Sequence, residues 1–246
     1  MHKYVWTFVL GFLLGALHAV AKVPANSTQM VLTISDGWDL STGQLYTFNR
    51  VDGRWQRHSI QARVNIGRAG LGWGLGLHAP QEGVQKREGD GRAPAGIFRL
   101  GDAFGYLSSV ETELAYRPMH VNQYCIDMPA SPYYNQTVDV GEVGIEAVRG
   151  SSEGMRRDIH YGDNQYRKGI FINHNPDNMA GAGSCIFMHL WKKDGAPTAG
   201  CTSLSEPVMD QLLSWLNREA RPVYVVLPLS EYLRKRDLWS LPQLDY

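Results

Sequence analysis

The chain has no surplus of either charge: 24 Lys and Arg balance 24 Asp and Glu over 246 residues. That balance supplies neither a basic footprint for nucleic acid nor a polybasic patch for a membrane surface. It has no internal repeat and no low-complexity tract. Beyond the first residues, no segment stays apolar for the roughly 20 positions a membrane helix needs. Zinc motifs are missing too, because His174, His189 and Cys201 lack the paired short spacings of such sites. Five glycines between Gly67 and Gly76 suggest a phosphate loop, but their spacing fits neither a dinucleotide fingerprint nor a P-loop. A structural loop is the reading there, and no cofactor or metal is expected.

What is present begins at the N-terminus. Met1-His2-Lys3 is short and basic, an apolar run follows from Tyr4 to about Leu17, and Ala19-Val20-Ala21 has the small-x-small pattern of a cleavage site. Residues 1–21 therefore read as a signal peptide, and the rest as an exported protein of the periplasm or cell envelope with no stable membrane span. An uncleaved anchor is the alternative. Cysteine is scarce, at three. In an exported protein an odd count leaves one thiol unpaired or reactive. The simplest partition pairs Cys125 with Cys185 and frees Cys201; three free thiols is the other reading.

Periodicity gives a chain that is mainly β with a few helices. Strands are expected over Met30–Ile34, Gln44–Asn49, Arg54–His58, Gln61–Ile66 and Ile97–Leu100, with a tight turn at Asp52-Gly53. Lys86–Arg92 reads as a solvated loop. Residues 101–150 give weak signals, with Tyr133, Tyr134 and Asn135 as unplaced cleft residues, and a short helix is expected over Glu153–Arg157. Two strands follow, Gly169–Asn173 and Cys185–Leu190; alternation puts Cys185, Phe187 and His189 on one side of the second. Ser205-Glu206-Pro207 starts a helix whose apolar face is Val208, Met209, Leu212, Leu213 and Leu216. Val223–Leu227 is the last expected strand. Residues 22–246 read as one domain, with a short C-terminal tail from about 228.

The chemistry concentrates in two places. His189 sits at a strand end, and Cys201 follows it by twelve positions, after Gly200. A thiol of ordinary pKa near 8.5 is mostly protonated at neutral pH, and a nearby imidazole and helix N-terminal amides lower it. The helix opened by Ser205 is expected to do so here. Gly200 permits close backbone approach, and the N–H groups of Gly200 and Cys201 are natural oxyanion donors. The plain alternative is a buried, inert cysteine beside a structural histidine. A papain-like protease fits poorly, because there the cysteine precedes its histidine.

The segments Ile186-Phe187-Met188-His189 and Pro197-Thr198-Ala199-Gly200-Cys201-Thr202 resemble the catalytic motif of the L,D-transpeptidase (YkuD-like) family. Lys86–Phe98, with Pro94-Ala95-Gly96, and Lys168–Asn175 resemble its flanking segments, so the resemblance runs from about Met30 to Leu227. It implies an L,D-transpeptidase-like β-sandwich or mixed sheet that acts on peptidoglycan stem peptides. Cys201 would be the nucleophile and His189 the base. The acyl group of a diamino acid's L-centre would pass to sulfur as D-alanine leaves, then to an amine acceptor; carbapenems would acylate the same thiol. Water as acceptor would give a carboxypeptidase or cross-link hydrolase, and loss of activity a wall-binding module. The chain departs from the family pattern at Ala199, where a second histidine is usual, and at Ser203. His174 is the expectation for the missing role. His174, Trp191, Thr198 and Ser203 complete the substrate-site candidates.

Overall fold

The computed structural model describes residues 22–244; the expected signal peptide lies outside them. The chain first lays down five strands: β1 (Gln29–Ser35), β2 (Thr42–Val51), β3 (Arg54–Asn65), β4 (Leu71–Trp73) and β5 (Ala93–Gly105). The β2–β3 hairpin turns at Asp52-Gly53, both at positive φ, as the Asp-Gly pair demands. A central section of short elements comes next: β6 (Tyr116–Pro118), β7 (Gln123–Cys125), β8 (Thr137–Asp139), α1 (Val140–Val143), α2 (Ile145–Val148), β9 (Glu153–Gly154) and α3 (Arg157–His160). The last part holds β10 (Lys168–Ile172), β11 (Phe187–Leu190), β12 (Thr202–Leu204), α4 (Glu206–Trp215), β13 (Val223–Pro228) and α5 (Leu229–Lys235).

The main sheet runs β10-β11-β12-β3-β2-β1-β13-β5-β4, and β5 also pairs with β10. The sheet is mixed, as expected, and that extra pairing closes it into a ring, because the long β5 meets β13 through residues 96–99 and β10 through residues 100–105. Closure leaves few unpaired edges. Most pairings are antiparallel, but β1 with β13, β11 with β12, β4 with β5 and β5 with β6 are parallel. The main core packs on both faces of the ring and under α4: register puts Met30, Leu32 and Val225 on one face and Leu45 and Phe98 on the other, and Met209 and Leu212 of α4 are buried with them.

The glycine-rich stretch is structural. Gly70 takes φ +81°, and a Cβ there would sit 2.0 Å from the Trp38 carbonyl oxygen. Two expectations are corrected. Glu153 is not helical: it is the cross-strand partner of Cys125, and the helix begins only at Arg157. Nor is the chain beyond 228 a tail. It forms α5, and Tyr232, Trp239, Leu241 and Leu244 are buried, with the Val23 N–H bonded to the Trp239 carbonyl. A polar-looking segment hid four large side chains that pack into the main core.

Candidate active site

β11 and β12 run side by side and parallel, with Met188 opposite Thr202 and His189 opposite Ser203. Paired residues of neighbouring strands point to the same face, and alternate residues share a face. Phe187, His189, Ser203 and, one step before β12, Cys201 therefore project together. His189 and Cys201 are diagonal neighbours on that face.

The imidazole is set for one role. His189 Nδ1 lies 2.8 Å from the Leu190 carbonyl oxygen. A carbonyl only accepts, so Nδ1 carries the hydrogen and Nε2 holds the lone pair. Burial lowers the ring pKa to about 4, against the pull of the Leu190 bond. His189 is thus neutral and a base at Nε2. The Tyr166 ring meets it edge-on at 5.2 Å.

Cys201 is buried and unpaired. Its sulfur accepts from the Phe187 N–H at 3.3 Å and donates to the Cys185 carbonyl at 3.5 Å. Burial, with the Glu153 charge adding to it, pushes the thiol pKa up to about 12, against the Phe187 bond and the Lys86 charge. The resting site is therefore thiol and neutral imidazole. Here the expectation of a lowered pKa is overturned. Three residues of β12 separate Cys201 from the first turn of α4, so the helix end is too far to act. Ser205 is the N-cap by position but makes no side-chain capping bond.

Cys185 holds the opposite wall. It forms a disulfide with Cys125, takes φ +56°, and its N–H donates to Asn135 Oδ1 at 2.9 Å. A non-glycine residue at positive φ is uncommon and costs about 1–3 kcal/mol. The disulfide and the Asn135 bond hold it there, and the conformation aims its carbonyl at Sγ.

A cleft of about 180 Å³ opens on this sulfur, lined among others by Arg68, Lys86, Glu88, Asp127, Glu153 and Ala199. A larger cleft of about 440 Å³ lies across the disulfide and is lined by Phe187 and His174 but not by Cys201. Chemistry needs the nucleophile, so the smaller cleft is the candidate site.

The other candidates are placed as follows. Thr198 shapes the nucleophile loop: its hydroxyl donates to the Cys201 carbonyl at 2.6 Å and accepts the Gly200 N–H at 3.2 Å. Ser203 is buried in the ladder between His189 and Asn65. Trp191 lines a separate cleft with Asp163, Arg167 and Glu206. His174 is not available to a substrate. Its Nδ1 accepts the Leu75 N–H at 3.2 Å, and its Nε2 donates to Ala182 O at 2.9 Å.

Lys86 and Glu153 of the cleft carry no signal in the sequence, and Glu88 carries one only as a charged loop residue, with Arg87, Asp90 and Arg92, able to contact a zwitterionic stem peptide. Lys86 is buried, and its ammonium bonds Asp90 at 2.7 Å and the Arg87 carbonyl at 2.6 Å. The Lys86–Arg92 segment is therefore a wall of the cleft and not merely a solvated loop. Glu88 is clamped by Tyr134 at 2.5 Å and Ser184 at 2.6 Å. Glu153 accepts from the Tyr166 hydroxyl at 2.6 Å, and burial pushes its carboxyl up to about 7. Pairings between distant segments made these residues neighbours, and no local spacing signals them.

The L,D-transpeptidase catalytic domain family matches residues 38–225, and the chain belongs to that family. No curated protein matches it. Among solved structures, the helical cell shape determining protein Pgp2 from Campylobacter jejuni is similar at 15% identity and a TM-score of 0.38, over 82% of this chain and 48% of that one. This chain thus spans about half the length of that protein.

Proposed function

We propose that this protein is an exported, peptidoglycan-modifying cysteine acyltransferase with Cys201 as nucleophile and His189 as base. Membership of the L,D-transpeptidase family supports the reaction class. The observation that carries the roles is the His189 tautomer: Nδ1–H is fixed on the Leu190 carbonyl, and a bare Nε2 shares a strand face with the Cys201 thiol. Because the thiol and imidazole rest neutral, the proton passes from Sγ to Nε2 as sulfur attacks the scissile carbonyl of the stem peptide. The C–N bond then breaks, His189 returns the proton to the leaving D-alanine amine, and a thioester remains. The Cys201 amide is the donor to the oxyanion; the Gly200 N–H, the other donor expected from the sequence, is held by the Thr198 hydroxyl. An amine of a second stem peptide resolves the thioester. The apolar N-terminus and the Cys125–Cys185 disulfide support an oxidising, extracytoplasmic location.

The test is incubation with a disaccharide-tetrapeptide. The expected products are D-alanine and cross-linked dimers, with a transient adduct on Cys201. Cys201→Ala is expected to abolish both the adduct and the products, and His189→Gln to slow acylation by about 10²–10⁴-fold. Tripeptide without dimers would assign water as the acceptor. A Cys201→Ala protein that still makes product would refute the assignment of the nucleophile.

A further inference from the structure

We infer that Glu153 is a second proton-transfer group of this site, one that binds the ammonium of the incoming acceptor and takes its proton before the amine attacks the thioester. The inference rests on the transpeptidation reading above and deepens it: it makes the acceptor a cationic amine.

A continuous chain of bonded contacts brings Glu153 to the nucleophile. It pairs with Cys125 across β7 and β9, Cys125 is bonded to Cys185, and the Cys185 carbonyl accepts from the Cys201 thiol. Glu153 and Cys201 line the same cleft. The Tyr166 hydroxyl bonds Glu153 Oε2, and the Tyr166 ring packs edge-on against His189. One tyrosine thus fixes both groups, with the carboxyl and the imidazole on separate sides of it.

Three carboxylates line the cleft, and two of them are bonded on both oxygens. Glu88 is held by Tyr134, Ser184 and the Gly89 N–H. Asp127 accepts the Ser152 N–H on both oxygens and the Ser152 hydroxyl as well. Among the described residues the Glu153 carboxyl has one hydrogen bond, on one oxygen, and its second oxygen is left to accept from a ligand. A carboxylate facing a cleft with acceptor capacity to spare suits an ammonium.

His189 alone is insufficient for the second half-reaction. The acceptor amine arrives as R–NH₃⁺, which has no lone pair and cannot attack. Glu153 carboxylate takes one proton, giving R–NH₂ and a neutral carboxylic acid. The nitrogen lone pair then forms the C–N bond as the carbonyl electrons move to oxygen. His189 Nε2 removes the second N–H proton, the C–S bond breaks, and the imidazolium so formed protonates the departing sulfur. The third hydrogen stays on the new amide, and Glu153 releases its proton to water. The titratable and charged groups that act on Glu153 are Tyr166, Arg157, Asp127 and Glu88, and Glu153 acts in turn on Cys201, with which it lines the cleft. Burial holds its carboxyl at about 7, where a base is half ionised at neutral pH and matched to the task.

The test separates the half-reactions. A tetrapeptide donor with its side-chain amine acetylated cannot serve as acceptor, so D-alanine release in the first turnover reads acylation alone. A disaccharide-tripeptide with a free amine, added afterwards, reads transfer. Glu153→Gln is expected to slow transfer about 10²-fold more than it changes acylation, and to lose the limb of the transfer rate near pH 7. Glu153→Asp should recover part of the transfer rate. Should Glu153→Gln fold poorly, Tyr166→Phe keeps the carboxylate and removes the hydroxyl that bonds it; the transfer limb should then move to higher pH. Equal loss of acylation and transfer in Glu153→Gln, or no loss of transfer, or an unmoved limb in Tyr166→Phe, overturns the inference while leaving the transpeptidation reading intact. A wild-type protein that releases no D-alanine overturns both.

Discussion

The two sides of the strand ring are built on different principles. Around the long strands and beneath α4, the core is large and mostly aliphatic, with Trp73, Phe98 and Trp239 among it. On the other side, around Cys201, a smaller cluster is mostly aromatic and sulfur-bearing: Phe104, Phe187, Tyr166, Met119, Met155 and the disulfide. The sheet that covers it, β8-β7-β9, has strands of only two or three residues. Strands that short are too small to stand alone. They are tied by a covalent bond, by Ser151 Oγ donating to the Cys125 carbonyl at 2.8 Å, and by the Arg157–Asp163 pair at 2.7 Å. The first side makes the fold stable; the second uses covalent and polar ties to hold a few groups in place.

The largest effect that sharpens this contrast belongs to the first side. Trp239 is fully buried, stacked on His78 at 5.3 Å and meeting Trp73 at 6.2 Å. Trp239→Ala is expected to lower stability by about 3–5 kcal/mol in chemical denaturation. The acylation rate of Cys201 in the folded fraction should stay close to wild type. A variant of normal stability but lost acylation would break the separation.

The cap gives the next effect. The disulfide closes a loop with a sequence separation of 60. Chain entropy puts its contribution near 4 kcal/mol, and measured cases usually fall at about 2–4 kcal/mol. A Cys125→Ala, Cys185→Ala double variant should lose stability within that range. Unlike Trp239→Ala, it should also acylate more slowly when fully folded, because Cys185 no longer holds its carbonyl on Sγ. Hydrogen exchange should rise first over residues 123–154 and last over β1 and β13. Uniform exchange across the chain would show that cap and ring unfold as one unit.

How far the sequence discloses each side follows the same divide. The strands of the ring announce themselves by alternation because one face of each meets a continuous core, as in Gln44–Asn49 and Gly169–Asn173. That Cys201 and His189 come together on one strand face is legible because the motif that holds them is local. The disulfide is one of few partitions of three cysteines. The cap is not legible: residues 101–150 carry little apolar periodicity, and Glu153, expected in a helix, is a strand residue because Cys125, far away in sequence, pairs with it. Closure of the ring is likewise a fact about β5 and β10, segments that carry no mark of each other. The raised thiol pKa has the same origin, since it comes from burial beneath the cap and from Glu153.

The smallest effect compares two histidines that burial treats alike and that the two sides use differently. His174 meets Phe98 of the aliphatic core edge-on, and His189 meets Tyr166 of the aromatic cluster. Each has its pKa lowered from 6.5 to about 4 by burial. In the unfolded chain both bind a proton below about 6.5, while in the folded protein they stay neutral down to about 4. The unfolded state therefore gains protons across that window, and stability falls as pH drops from 6.5 to 4. Glu153 acts in the opposite sense: its folded pKa, raised from 4.5 to about 7, makes stability fall as pH rises through that interval. His174→Gln should cost about 1–2 kcal/mol at about pH 8, for the loss of one of its two hydrogen bonds. Its decline in stability between pH 6.5 and 4 should be shallower than in wild type, and acylation should persist. His189→Gln should flatten the same decline but slow acylation. If His174→Gln slows acylation as much as His189→Gln does, the ring nitrogens of His174 are not merely tying two loops together, and the core side takes part in the chemistry.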